Sequence, residues 1–107
     1  MKKYISKDGK DGKVGVIVSP GFGAGWSTWS DDSDFFCMDK TLVEMKLNES
    51  SINDVRAYIQ KETGKDAYMG GWDDAKVLWL KKGTKFTIEE YDGSETLRLI
   101  EDLTMTA

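Results

Sequence analysis

The hydrophobic pattern changes period along the chain, and that change constrains the fold more than any total does. "VGVIVS" is a β-branched apolar run over Val14 to Val18 and reads as a buried strand. Ser19-Pro20 ends it, because proline cannot continue a ladder. From Asp39 the spacing becomes helical. "DKTLVEMKLNES" sets Leu42, Val43, Met45 and Leu47 compatibly with a short helix capped by Asp39. "SSINDVRAYIQKETG" is a second helix, with Ser51 and Asp54 as a capping pair, Ile52, Val55 and Ile59 on one face, and Gly64 at the C-terminal cap. After it the period drops to two. "KVLWL", "KFTIEEY" and "ETLRLI" read as strands, with "KKGT" and "DGS" as hairpin turns between them. Upstream, Tyr4-Ile5 leads into "SKDGKDGK", whose Asp-Gly pairs at 8–9 and 11–12 mark tight turns. The expected architecture is one α+β domain over residues 1–107. Its antiparallel sheet is the N-terminal strand plus a C-terminal three-stranded meander, packed with two helices.

Chemistry is narrowed mainly by what the chain lacks. There is no histidine, which removes Ser-His-Asp and Cys-His catalysis and the commonest neutral metal ligand. The single cysteine, Cys37, cannot form an internal disulfide or a cysteine-rich zinc site, and its setting in Phe35-Phe36-Cys37-Met38 suits a small buried hydrophobe. Nineteen acidic against fifteen basic side chains leave a net charge of −4, contrary to the basic face of a general nucleic-acid binder. No stretch approaches the ~20 apolar residues of a membrane span, and "MKKYISKDGK" lacks a signal core. These features point to a cytoplasmic protein that is not an enzyme and carries no cofactor or metal.

The segment "PGFGAGWSTWSDD", residues 20–32, holds the densest chemistry. Gly21 and Gly23 match the first two glycines of a dinucleotide fingerprint, but the third falls on Trp26, whose indole would block close helix–strand packing. No Gly-Lys-Ser/Thr follows, so a P-loop fails too. Two readings stay open. Either the glycines make a sharp reversal and both tryptophans plug the core, or they expose N–H groups as an anion nest. In the second reading Gly21, Phe22, Gly23, Ala24 and Gly25 would hold phosphate through their backbone. Ser27 and Thr28 would add hydroxyl donors, and Trp26 or Trp29 would stack a base. Arg56 and Lys85 could supply positive charge.

The remaining acidic clusters read more plainly. "SDDSDFF" lacks EF-hand spacing and its closing glutamate, so its carboxylates suit turns and helix caps. "EEYDGSE" gathers Glu89, Glu90, Asp92 and Glu95 around a turn, as an exposed hairpin tip or an acidic patch facing a partner.

"GFGAGWSTW" and "KGTKFTIEEYDGSE", with "YMGGWDDAKVLWL" between them, resemble the G-x-G-A-G-W-S-T-W loop and the G-T-x-F-x-I-x-E-Y-D-G-x-E element of a group of small phage and prophage proteins. That group usually has Asn after the second tryptophan, where this chain has Ser30. The resemblance implies a phage-borne accessory protein in an infected or lysogenic bacterial host, of the counter-defence kind. Such a protein would sequester a small anionic nucleotide-like ligand, in a pocket that a homo-oligomer could complete. The alternative is an acidic inhibitor of a host defence nuclease or CRISPR-type complex.

Overall fold

The computed structural model describes residues 13–100, so Tyr4-Ile5 and the Asp-Gly turns expected at 8–9 and 11–12 lie outside the described residues. The apolar run is strand β1 (Lys13–Val18), buried at every residue after Lys13. It pairs antiparallel with β2 (Lys76–Lys81), Val14 opposite Leu80 and Ile17 opposite Val77. β3 (Phe86–Tyr91) and β4 (Ser94–Leu99) form a second antiparallel pair, Ile88 opposite Leu97. The protein is α+β, with two two-stranded sheets where the sequence suggested a meander. The "KKGT" turn does form, Thr84 N–H donating to the Lys81 carbonyl at 3.0 Å. It carries the chain from one sheet to the other.

Burial explains why the strands stack instead of lying edge to edge. Val16 and Val18, with Leu78 and Leu80, face Phe86, Ile88 and Leu97 of the second sheet, and Cys37 and Met38 close that cluster. On the other face, Ile17 and Val77 meet Leu42, Val43, Val55 and Ile59 from the helices. β1 is therefore covered on both sides, which is why it reads as an unbroken apolar run. A single meander would have left one of those faces open.

Three helices form the third layer: α1 (Ser33–Met38), α2 (Lys40–Leu47) and α3 (Ile52–Thr63). α2 and α3 lie where the sequence puts them. Ser51 accepts from Asp54 N–H, and Gly64 ends α3 in the left-handed region at φ 74°. α1 was not expected, because six residues are too short to display a helical period. Asp32 caps it by accepting from Phe35 N–H at 3.2 Å. Asp39 ends α1 and starts α2, its carboxylate accepting from Leu42 N–H and, at 2.6 Å, from the Tyr58 hydroxyl. Burial and that Asp39 partner push the Tyr58 phenol up to about 12.

Candidate functional site

β1 ends at Val18, and after Ser19 the Gly/Trp segment crosses the end of the β3–β4 hairpin. That hairpin turns on Asp92 (φ 50°) and Gly93 (φ 85°), the two positive-φ residues of a type I′ connection. A Cβ at Gly93 would sit 2.3 Å from Ala24 N. The position needs glycine both for its backbone angle and for this approach. From the other side, a Cβ at Gly71 would lie 2.5 Å from the Gly25 carbonyl oxygen. The segment is thus pressed between the hairpin tip and the "GGWDD" stretch, and Gly23 N–H donates to the Asp92 carbonyl at 2.5 Å.

The centre of the site is Glu95, only 2% exposed. One of its oxygens accepts from Ser19 N–H at 2.9 Å. The other accepts from Trp26 N–H at 2.8 Å, Thr28 N–H at 3.0 Å and the Thr28 hydroxyl at 2.5 Å. Donors do converge on an anion here, but they come from Ser19, Trp26 and Thr28, not from the Gly21–Gly25 amides, and the anion is a side chain of the same molecule. A buried carboxylate requires such partners, and hydrogen bonds to a charged acceptor are stronger than neutral ones. Directly across the strand pair stands Glu90. It accepts from Gly93 N–H at 2.8 Å and from the Trp29 indole N–H at 3.0 Å. The Gly93 N–H, followed by the Trp29 indole, holds the Glu90 carboxyl below its ordinary range. Like charges opposite one another repel; here each has its own donors.

The two tryptophans go separate ways. Trp26 is 1% exposed, meets Phe36 edge-on at 5.4 Å and Trp72 at 5.3 Å, and donates its indole N–H to the Phe36 carbonyl at 2.7 Å. Trp29 closes the short 3-10 turn Ser27–Trp29, remains 41% exposed, and lies against Tyr68 with ring centroids 5.4 Å apart. Beside it opens a cavity of about 380 Å³ lined by Trp29, Tyr68, Asp31, Asp32, Asp66 and Lys65 among others.

The other residues singled out from sequence divide as follows. Gly21, Gly23, Ala24 and Gly25 serve close packing and turn geometry, and Phe22 projects outward, 72% exposed. Thr28 is committed to Glu95. Ser27 is buried, and its hydroxyl oxygen is the buried side-chain oxygen lacking a partner among the described residues. Arg56, on α3, pairs with Asp66 at 3.6 Å and so reaches the rim of the Trp29 cavity. Lys85 sits at the open end of the hairpin, five residues from Glu90, or about 17 Å along an extended strand. It does not join the loop.

Sequence reasoning did not bring Glu95, Glu90 and Tyr68 to this site; it read the acids as an exposed hairpin tip or an acidic patch facing a partner, which describes Glu89, Glu90 and Asp92 but not the buried Glu95. A signal for the glutamates was present. Glu95 shares parity with Leu97 and Leu99, and Glu90 with Phe86 and Ile88, so both fall on the face of those apolar residues; Glu95 is buried there, while Glu90, near the turn, stays exposed. Glu89, of opposite parity, pairs outward with Arg98 at 3.3 Å.

Elsewhere, Lys46 lies over the Trp72 ring, 4.5 Å from its centroid, and donates to the Trp72 carbonyl. Burial lowers the Lys46 ammonium's pKa, against the opposing pull of Asp73, Asp74 and Glu49. Among the described residues no cluster of three or more acidic or sulfur side chains could hold a metal ion, and no helix is long and apolar enough to cross a membrane. No protein-family model, no curated protein and no solved structure matches the chain.

Proposed function

We propose that the protein acts by binding, docking the end built from residues 20–31 and the β3–β4 turn onto a basic surface of a protein partner. The observation that carries this reading is a concentration of exposed aromatic side chains at one end. Phe22 is 72% exposed, Trp29 41%, Tyr68 48% and Tyr91 78%. They belong to segments tied together by the Gly23–Asp92 and Trp29–Glu90 hydrogen bonds and the Trp29–Tyr68 contact. Trp and Tyr are enriched among binding hot spots, and aromatic side chains generally at interface cores. Asp31, Glu90 and Asp92 stand among them, exposed, and supply charge complementarity to Lys- and Arg-rich surfaces. Glu95 holds the backbone beneath in one geometry, which lowers the ordering cost of association. Given the resemblance to phage proteins, the partner of choice is a nucleic-acid-binding defence protein of the bacterial host.

A small anionic, nucleotide-like ligand is the second reading. The Trp29–Tyr68 wall and its 380 Å³ cavity favour it. The loop donors already given to Glu95, and the carboxylates of Asp31, Asp32 and Asp66, weigh against a phosphate there.

One comparison separates the two. Immobilised protein and its Phe22→Ser and Asp31→Lys variants are exposed to host lysate, while the free protein is melted against a nucleotide panel. Docking predicts a basic partner retained at low salt, released at high salt, and lost from both folded variants. A partner held equally well by both variants would overturn it. A ligand near 100 times its dissociation constant would raise stability by about 2.7 kcal/mol, and such a shift with a nucleotide would favour the second reading.

A further inference from the structure

We infer that the Trp29–Tyr68 cavity is a receptor for one arginine side chain of the partner; this rests on the docking reading above and specifies its central contact. The cavity of about 380 Å³ has aromatic walls, Trp29 and Tyr68 tilted at 37° to each other with centroids 5.4 Å apart, and the buried Phe36 also lines it. Ring faces attract cations, tryptophan most strongly. Carboxylates stand at the same cavity: Asp31, Asp32 and Asp66.

Their commitments differ. Asp32 caps α1, and Asp66 already holds the Arg56 guanidinium at 3.6 Å. Asp31 is exposed and stands two residues after Trp29. It is the carboxylate best placed to receive an incoming cation. Trp29 is fixed for this task, since its indole N–H is held by Glu90 while its ring stays accessible. Lys65 also lines the cavity and opposes a second positive charge, so the cation must gain from the ring faces as well.

That requirement selects arginine over lysine. A guanidinium is planar, weakly hydrated and able to stack on an indole while directing N–H groups sideways to a carboxylate; an ammonium is compact and strongly hydrated. Phosphate-bearing ligands meet the wrong charge.

The test uses the whole ¹⁵N-labelled protein and four probes: N-acetyl-arginine-N-methylamide, its lysine and citrulline counterparts, and AMP. The arginine probe should move the Trp29 indole N–H resonance and the amides of residues 65–68 saturably. The lysine probe should bind at least about fivefold more weakly, and the uncharged citrulline probe should leave the resonances in place. Asp31→Asn should weaken the arginine probe about threefold, and Trp29→Leu should abolish its effect, each in a protein whose remaining spectrum is unchanged. Equal response to arginine and lysine, response to AMP instead, or no response would overturn the assignment. If the arginine probe fails while Phe22→Ser still abolishes partner capture, only the cavity's occupant is wrong. If both fail, the docking surface falls with it.

Discussion

Trp26 and Trp29 are three residues apart, of one chemical type, and on one short turn, yet one is a core residue and the other a surface residue. In a regular 3-10 helix residues i and i+3 eclipse and would share a face. They do not here, because Trp26 enters the turn at φ −112°, ψ −93°, outside the helical region. That single backbone departure sends one indole between Phe36 and Trp72 and the other toward Tyr68. The two carboxylates of the hairpin hold the arrangement, Glu95 through the Trp26 amide and Glu90 through the Trp29 indole. What the pair teaches is that a spacing in sequence states a separation; the backbone between decides the faces.

The comparison can be broken hardest at Glu95. Glu95→Ala leaves the amides of Ser19, Trp26 and Thr28 without their acceptor, each buried donor costing about 1–3 kcal/mol. Urea unfolding should show a loss on the order of 5 kcal/mol, a large share of a small domain's stability. Trp26→Ala empties a core site and should cost about 4 kcal/mol. Trp29→Ala, on the exposed side, should stay within about 1 kcal/mol while removing partner capture. Equal losses for the two tryptophans would show that the division between core and surface is misassigned.

Gly93→Ala lies between these in size. It forces an L-residue into a positive φ, about 1–2 kcal/mol, and drives a methyl against Ala24 N. A melting temperature unchanged by that substitution would mean the tip does not press on the loop.

pH sharpens the same contrast from both ends. The Glu90 carboxyl is held low by Gly93 and Trp29. Its contribution is therefore present above the ordinary glutamate range and lost as pH falls through its folded value. Trp29 fluorescence, read as the difference between native protein and Trp29→Phe, should change in that acid window and not in Glu90→Gln. Tyr58 behaves oppositely, on the helical side, where it stacks on Phe35 at 6.3 Å. Its phenol is raised to about 12, so its contribution is intact below an ordinary tyrosine value of about 10 and fades as pH rises through about 12. Tyrosinate absorbance should show this late step in the native protein and lose it in Tyr58→Phe.

Much of the fold was legible in local pattern. Asp39 and Ser51 announce their helices because a cap is a contact between residues three apart, and Gly64 and Asp92-Gly93 announce their turns because positive φ is a one-residue property. α1 was illegible, since "SDFFCM" is shorter than two helical turns. The pairing of β1 with β2 across 60 residues, in place of a meander, was not written in either strand. Alternation states that a strand has a buried face without stating what covers it.

The site divides along the same line. Sequence alone determined that a glycine-rich turn follows a buried strand at residues 20–29 and that the chain contains no histidine. Parity with Leu97 and Leu99 also carried a signal for Glu95, which the exposed-tip or acidic-patch reading overlooked. Only the tertiary structure decided that Glu95, 69 residues beyond Trp26, takes up the Ser19, Trp26 and Thr28 amides. Only it decided that Trp29 meets Tyr68, from a segment with no period to announce it. Both are contacts across the chain, and their geometry comes from the stacking of two sheets and a helical layer, which no local window contains.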